Sequence, residues 1–383
     1  MLQAQKEVRS KMSAIRKFGY KLGKLQGKYP KVFLFAAILI TLILLPGIPI
    51  LLSNVEPSLE KVLPQDIEEV KVMNQMRSEY GADMLYIVLV NENNVNPYSP
   101  DTIRYIDSIS NALRTSENVL EVDSIADIIK QSNNGVIPNT QNEIQSILDK
   151  NPLTGMYVSQ DKSVFMIQIK TDTGSNVPAI KSVIGEINFV GSMYETENPG
   201  FDFKVTGFNA IDQATFNIII SDFIKITGVS FGAMVLFLLF YYRFSFKKTL
   251  YTLVIMIFSL IWTLGLIGYI GIKLNVVTMV SAAMIIALGS SYGINSVYHF
   301  YDDFLLQYKK DEAIAKFQEF LIIGLSGSAL AEIAGFMALL FGTLPSMHDL
   351  GIILAIGIFF ALFVSVVILP VFFFLLENEE HNA

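Results

Sequence analysis

The chain has 383 residues, of which 52% are apolar and only 16% are charged. Soluble globular proteins carry about 25% charged residues, so this composition indicates a membrane protein. The chain has no cysteine, which excludes disulfides, thiol catalysis and cysteine metal sites. Its three histidines are scattered, and the net charge of −7 is segregated along the chain. We expect no metal, no cofactor and no nucleic-acid partner.

Six apolar runs are long enough to cross a membrane, because a spanning helix needs about 20 apolar residues. They lie at residues 32–52, 220–242, 249–270, 274–298, 318–342 and 349–376. The sequence therefore predicts an α-helical membrane protein with one helix, a large domain outside the membrane, and then five helices. The expected boundaries are a basic segment at 1–31, helix 1 at 32–52, the domain at 53–215, helices 2 to 6 at 216–376, and a tail at 377–383.

The first 31 residues are rich in lysine and arginine, from Lys6 to Lys31. Such a segment is typical of a basic amphipathic helix on anionic lipid, and equally of a simple signal for membrane orientation. A cleaved signal peptide is disfavoured, because the charged part is too long and no small-x-small cleavage site follows Leu52.

The other basic residues predict how the chain is oriented, since short cytoplasmic loops carry an excess of lysine and arginine. The loops expected on the cytoplasmic side contain Arg243, Lys247, Lys248, Lys309, Lys310 and Lys316. The short connections on the other side contain only Lys273. We therefore expect a multi-pass protein of the cell membrane with both termini cytoplasmic and the large domain extracellular or periplasmic.

The large domain contains short apolar or alternating runs that predict four strands and two helices. In chain order these are a strand at 84–90, a helix from Pro100, strands at 119–122 and 163–170, a helix at 177–187, and a strand at 201–205. The order strand, helix, strand, strand, helix, strand is the split βαβ, ferredoxin-like arrangement. No cluster of nucleophilic or ionisable residues in this domain suggests an active site, so we expect no enzyme activity.

Several membrane helices carry small residues that favour close helix packing. These are Gly228, Gly232, Gly265, Gly289, Gly293 and Gly335. Asp222 and Lys225, at the outer end of the second helix, predict an interfacial ion pair. His299, near the cytoplasmic end of the fourth helix, is expected at the membrane interface rather than in a proton relay.

The fourth helix reads Gly-Ser-Ser-Tyr-Gly at Gly289–Gly293, and an aromatic and acidic segment follows at 298–303. At this point the chain resembles the resistance–nodulation–division (RND) superfamily, especially its lipid-exporter branch, which includes the mycobacterial membrane protein large and hopanoid-exporter types. Further similar segments are Phe240–Arg243, Trp262–Gly265, Ala334–Phe336 and Asp349–Gly351. The resemblance covers most of the chain after residue 32, and it implies an RND-type transporter of lipid or other hydrophobic molecules.

Two features depart from that family pattern. Classical members have two such halves, whereas this sequence has one, so the resemblance implies a homodimer that completes the interface between halves. The proton-relay aspartate of the family corresponds to Ser291 in this sequence. A serine side chain cannot gain and lose a proton as a carboxyl group does. Direct transfer of the family's proton-coupled mechanism to the fourth helix is therefore unsafe.

Glu332 is the candidate replacement, because it lies close to the middle of the fifth apolar run. A charged carboxylate at that depth costs several kcal/mol unless it is protonated or paired. Candidate partners on the fourth helix are Tyr292, Ser290, Ser291 and Asn295. Glu332 is either a proton- or cation-linked coupling group or a permanently protonated link between helices, and the sequence leaves both open.

Three functions are compatible with these features. The favoured one is an exporter of lipid-like molecules. A protein-translocation accessory of the SecD/SecF type shares the architecture, but the larger SecD-type external domain is missing. A non-transporting, sterol-sensing-like protein stays open because the family aspartate is lost. The expected partners are membrane lipid or a hydrophobic substrate and a second copy of the chain.

Overall fold

The computed structural model describes residues 2–58, 60–80, 84–91, 95–173, 177–197 and 200–377. The chain divides into two compact units. One consists of Met1–Pro64 and Ile218–Ala383, and the other of Gln65–Asn217. Within the described part, six helical segments are long and apolar enough to cross a membrane, which confirms the predicted multi-pass protein. They are Pro30–Ser53, Phe208–Tyr241, Phe246–Ile270, Thr278–Leu305, Lys310–Phe341 and Pro345–Leu376.

Most of the described chain is helical. In chain order the helices are α1 (Leu2–Lys28), α2 (Pro30–Leu44), α3 (Gly47–Ser53), α4 (Glu68–Tyr80), α5 (Pro100–Leu113), α6 (Ile125–Ser132), α7 (Gln141–Lys150), α8 (Thr154–Tyr157), α9 (Val177–Glu197), α10 (Phe208–Tyr241), α11 (Phe246–Ile270), α12 (Ser281–Tyr298), α13 (Lys310–Met337), α14 (Pro345–Phe363) and α15 (Leu369–Leu376). Two π-helical turns, His299–Leu305 and Val364–Ile368, continue α12 and join α14 to α15.

In the helical unit, the first span is broken where α2 ends and α3 begins, with Pro46 at the N-cap of α3. The break lets this chain approach α11 closely, since a Cβ on Gly265 would lie 2.2 Å from the Leu44 carbonyl oxygen. Trp262 donates a hydrogen bond from Nε1 to Thr41 Oγ1 over 2.8 Å. Tyr269 donates one to the Ile43 carbonyl over 2.9 Å. These bonds satisfy polar groups that hydrocarbon could not.

α1 packs along α13 in the same unit. A Cβ on Gly19 would lie 2.8 Å from the Gln318 carbonyl oxygen, and one on Gly23 would lie 2.8 Å from Ala315 Cα. The Gln26 side chain is fully buried and donates to the carbonyl oxygen of Val366 over 2.9 Å. The basic N-terminal helix therefore uses one face for packing against the protein, which neither interpretation of the sequence had included.

The second unit contains a four-stranded antiparallel sheet of β1 (Met84–Asn91), β2 (Val119–Asp123), β3 (Val164–Thr171) and β4 (Phe201–Gly207), in the order β2-β3-β1-β4. Ile87 pairs with Ile167 on one side and with Val205 on the other. Leu85, Ile87 and Leu89 are fully buried, because alternate residues of a strand share one face. They form the core with the apolar faces of α5 and α9.

Three local features differ from the sequence interpretation. α10 begins at Phe208, well before the predicted start at 220, directly after Gly207 at a φ of 118°. α6 and α7 are short helices that the sequence patterns did not predict. The run predicted to end at 298 continues as a π-helical turn to Leu305, and α13 begins at Lys310, before the predicted start at 318.

Candidate functional site

The Glu332 carboxylate receives two hydrogen bonds inside the helical unit. Tyr292 on α12 donates its hydroxyl to Oε2 over 3.1 Å. Ser328 donates its hydroxyl to Oε1 over 3.0 Å, and it lies one helical turn before Glu332 on α13. Tyr292 is only 3% exposed, so its ring is held by the packing of α12. Both carboxylate oxygens are therefore satisfied by neutral donors.

The two helices line an open cavity of about 260 Å³ beside this carboxylate. Its polar lining residues include Ser291, Tyr292, Asn295, His299, Ser328 and Glu332. Ser291, Asn295 and His299 are four residues apart along α12 and its continuation, so they follow one another on one face. The stretch from Ser291 to His299 is about 12 Å long at 1.5 Å per residue. The cavity thus joins the Glu332 region to a line of polar groups along the helix.

His299 lies at the end of this line. Its Nδ1 is 2.6 Å from Asp303 Oδ2, and its ring centroid is 4.7 Å from that of Phe320. His299 therefore lines the cavity and also lies near the end of a span. The sequence alone predicts only a position at the membrane interface.

Ser290 and the neighbouring glycines face the other side of α12. Ser290 is 4% exposed and donates to the Ala287 carbonyl of its own helix over 2.7 Å. A Cβ on Gly293 would lie 2.6 Å from Thr252 Cγ2, and one on Gly289 would lie 3.2 Å from Ser259 Oγ. The candidate partners of Glu332 therefore fall into three groups. Tyr292 bonds to it, Ser291 and Asn295 share its cavity, and Ser290 is buried and bonds to its own helix.

The other packing candidates also separate into two groups. Gly265 lies against the backbone of the first span, where α2 ends. A Cβ added at Gly228, Gly232 or Gly335 would meet no atom within 4 Å. These three glycines therefore make no close helix contact within one copy of the described chain, and their predicted packing role stays a prediction.

Asp222 and Lys225 are not joined by a salt bridge in the part of the chain that the structure describes, and their predicted position at the membrane interface stays a prediction. Lys225 is exposed and Asp222 is half-buried. Both lie on α10, three residues apart, and flexible side chains at that spacing gain little from pairing when they are exposed.

Ser328 is the contact that was not predicted from the sequence. Its position four residues before Glu332 places both side chains on one helix face, so helical spacing contained the signal. Among the described residues, no three His, Cys, Asp or Glu side chains come together as a metal site. The Tyr292 and Ser328 hydroxyls can hydrogen-bond to the Glu332 carboxyl group in either protonation state, because each hydroxyl can donate or accept.

Two comparisons with known proteins cover most of the chain. The sequence model of a family described as the MMPL family matches residues 61–379. A protein of Methanocaldococcus jannaschii, whose name describes it only as a membrane protein, is 27% identical over 354 residues. That alignment covers 89% of this chain and 89% of the relative.

Proposed function

The chain belongs to the MMPL family, within the RND superfamily, and on that basis we propose that it is a membrane transporter that exports lipid or another hydrophobic molecule. The observation that carries the proposal is the Glu332 carboxylate, bonded to Tyr292 and Ser328 inside a span and facing a cavity. An ionisable residue within a membrane span is by default a functional group.

Proton coupling at Glu332 extends this proposal. Within the described residues, no lysine, arginine or histidine lies within salt-bridge distance of Glu332. The carboxyl group can therefore gain and lose a proton without breaking an ion pair. When it is charged it accepts from Tyr292 and Ser328, and when it is protonated one of these hydroxyls can turn to accept instead. Glu332 would take over the role that the family assigns to an aspartate at the position of Ser291.

The line of Ser291, Asn295 and His299 supports a route for that proton. These side chains leave Glu332 along one face of α12, and His299 with Asp303 stands at its end. Histidine exchanges protons near neutral pH more readily than other side chains. Protons would pass through water in the cavity between these groups.

The proposed topology places both termini in the cytoplasm and residues 53–215 outside, following the lysine and arginine bias. The ferredoxin-like assignment of the external domain is supported by the strand order β2-β3-β1-β4, with every neighbouring pair antiparallel. α5 follows β1 and α9 follows β3, as the split βαβ arrangement requires.

The proposed working unit is a homodimer. Exposed small residues on α12 and α13 form one open face, at Ala287, Ser291, Gly324, Gly327, Ala331 and Gly335. In a bilayer, small residues favour helix association because they let two backbones approach closely. A second copy on this face would also close the Glu332 cavity from the side.

Two other functions compete with lipid export. A protein-translocation accessory would copurify with translocon subunits, and a sterol-sensing-like protein would bind lipid without moving it. Lipid analysis of the purified protein, followed by flux measurements in proteoliposomes, separates the three. Enrichment of one lipid class together with its movement across the vesicle membrane is the result expected. Enrichment without movement would favour the sterol-sensing-like function, and translocon copurification would favour the accessory.

A further inference from the structure

A second cavity lies at the end of the helical unit that carries α1. It has a volume of about 970 Å³ and is bounded by α1, the beginning of α13 and the end of α15. It is separate from the Glu332 cavity, since the two share no lining residue. Neither the family assignment nor the proposed transport accounts for it.

Four lysines line this cavity, at Lys24, Lys28, Lys309 and Lys310. Within the described residues, none of the four has a carboxylate within salt-bridge distance. Glu312 also lines the cavity, but both of its oxygens accept from the Tyr20 hydroxyl, over 3.0 and 3.1 Å. Asp311 also lines the cavity and is exposed, and the four lysines outnumber the two carboxylates. The cavity is therefore lined by four lysines and two carboxylates, which leaves an excess of positive charge for an occupant, and the Lys310 ammonium also donates to the Glu377 carbonyl oxygen.

The cavity lies beside the ends of three membrane-spanning helices. Lys28 precedes the first span, which begins at Pro30, and Lys310 is the first residue of the fifth span. Phe374 lies near the end of the last span, which ends at Leu376. Three spans therefore have an end beside the cavity, and lysines near the ends of spans are positioned to reach the phosphate groups of lipid.

Its floor is apolar and open. Ile314 and Phe374 contribute apolar surface, and the Lys310 ammonium lies 4.9 Å from the Phe374 ring centroid. Gly27 has no side chain to fill the space, and a Cβ there would stand 3.5 Å from Phe374. An occupant with a phosphate at one end and acyl chains at the other matches this combination of lysines and apolar floor.

α1 is held firmly enough to carry half of a binding site. Gln318 Nε2 donates to Gln26 Oε1 over 2.8 Å, and Gln26 in turn donates to Val366 and Val367 carbonyl oxygens at the π-helical turn. Both glutamine side chains are fully buried. Lys24 and Lys28 are on either side of this anchored residue, so their positions relative to Lys309 and Lys310 are fixed by the fold.

We propose that this cavity binds the phosphate group of an anionic phospholipid, with its acyl chains passing Phe374 into the bilayer. Lysine ammonium groups form charge-assisted hydrogen bonds with phosphate oxygens. The site serves to bind a structural or regulatory lipid at the membrane surface and does not depend on transport or on Glu332.

The test measures binding of a fluorescent phosphatidylglycerol to the purified full chain in mild detergent. The triple variant Lys24→Gln, Lys28→Gln, Lys309→Gln should weaken binding by about tenfold or more, because each basic residue near an anionic lipid contributes measurably. Arg16→Gln, Lys17→Gln, Lys21→Gln is the matched control, since these residues are exposed on the same helix, do not line the cavity and remove the same charge. Equal loss in both triple variants would reduce the effect to diffuse electrostatics and overturn the proposal.

Two further arms distinguish the source of the phosphate and guard against misfolding. Gly27→Leu fills the cavity without changing charge and should also abolish binding, whereas normal binding by this variant would contradict the site. Phosphatidylcholine and glycerol 3-phosphate should compete only weakly. If glycerol 3-phosphate competes at the same concentration as unlabelled phosphatidylglycerol, the cavity binds a soluble phosphate and the proposed lipid site is wrong.

Discussion

The Tyr292 hydroxyl donates to the Glu332 carboxylate over 3.1 Å and so joins α12 to α13 within the membrane-spanning part of the chain. Ser328 supplies the only other donor to that carboxylate among the described contacts, and it is also neutral. A permanently charged carboxylate with two neutral donors is poorly compensated in hydrocarbon. The arrangement therefore suits either a group whose charge changes during a cycle or one that stays protonated.

Glu332→Gln should abolish transport driven by a pH gradient while leaving folding intact. Glutamine keeps the length of the side chain and accepts a hydrogen bond, but it cannot exchange a proton. The measurement is substrate flux in proteoliposomes with an imposed pH gradient, beside the unfolding temperature in detergent. If Glu332→Gln transports like the parent, proton coupling at this residue is wrong, and the link between helices is its only role.

Glu332→Leu serves as the companion variant for that structural role. It leaves the Tyr292 hydroxyl without its partner, and an unsatisfied buried polar group costs about 1–3 kcal/mol. A lower unfolding temperature for Glu332→Leu alone, with normal flux in Glu332→Gln, is the signature of a permanently protonated link.

A cysteine at Ser291 should crosslink to its copy in a second chain, whereas a cysteine at Ser290 should not. Ser291 is exposed on the open face of α12, whereas Ser290 is 4% exposed and donates to the Ala287 carbonyl of its own helix. The chain has no native cysteine, so each variant has a single thiol. Crosslinking is measured by gel mobility in native membranes. Equal yields at both positions, or none at Ser291 in membranes and in mild detergent, would refute the proposed dimer face.

The six spans could be predicted from sequence because a run of about 20 apolar residues has few other uses. The first strand could be predicted because residues 84–90 form a short, dense apolar run, as buried strands do. The family could be recognised from motifs in chain order, of which Gly289–Gly293 was the sharpest, and the MMPL match confirms it.

Contacts between helices that are distant in sequence could not be predicted in the same way. The packing of α1 on α13 depends on Gly19 and Gly23 meeting the backbone of Gln318 and Ala315, which are far away in sequence, and helical periodicity contains no such information. The break in the first span did have a signal in the sequence, because Pro46 and Gly47 interrupt the apolar run, but the fit of Gly47 against Gly265 could not be predicted from it.

Gly265→Ala should destabilise the protein, and Gly232→Ala should not. A Cβ at Gly265 would lie 2.2 Å from the Leu44 carbonyl oxygen, so backbone must move. Overpacking of this kind costs about 1–3 kcal/mol. A Cβ at Gly232 meets nothing within 4 Å, and alanine is the better helix former. Unfolding temperatures in detergent measure both variants, and similar losses would show that the close approach of α11 to the first span is wrong.

Cysteines placed singly at Ser10 and Asn139 test the proposed topology. Asn139 is exposed in the second unit, and Ser10 lies on the basic N-terminal helix. On intact cells, a membrane-impermeant maleimide should label position 139 and not position 10, because the lysine and arginine bias keeps the termini inside. Permeabilised cells should show both labelled. The reverse pattern on intact cells would invert the topology and, with it, the side of the lysine cavity.

Asp161 provides a pH prediction in the second unit. It is exposed and accepts hydrogen bonds from the Ser159 hydroxyl over 2.6 Å and from the Ser163 hydroxyl over 2.8 Å. These bonds lower the pKa of Asp161 from 3.8 to about 2. A carboxyl group whose pKa is lower in the folded state stabilises that state fully above pH 3.8, and the contribution is lost as the pH falls through about 2.

The difference in unfolding temperature between the parent and Asp161→Asn should therefore be constant from pH 7 down to about pH 5 and then shrink towards pH 2. Asparagine removes the charge and with it the titration, so the variant is the reference without this contribution. Asp149→Asn, at an exposed aspartate on α7, controls for the loss of one surface charge. A parent-to-variant difference that stays constant down to pH 2, or that is reproduced by Asp149→Asn, would show that the serine hydroxyls do not stabilise the Asp161 carboxylate.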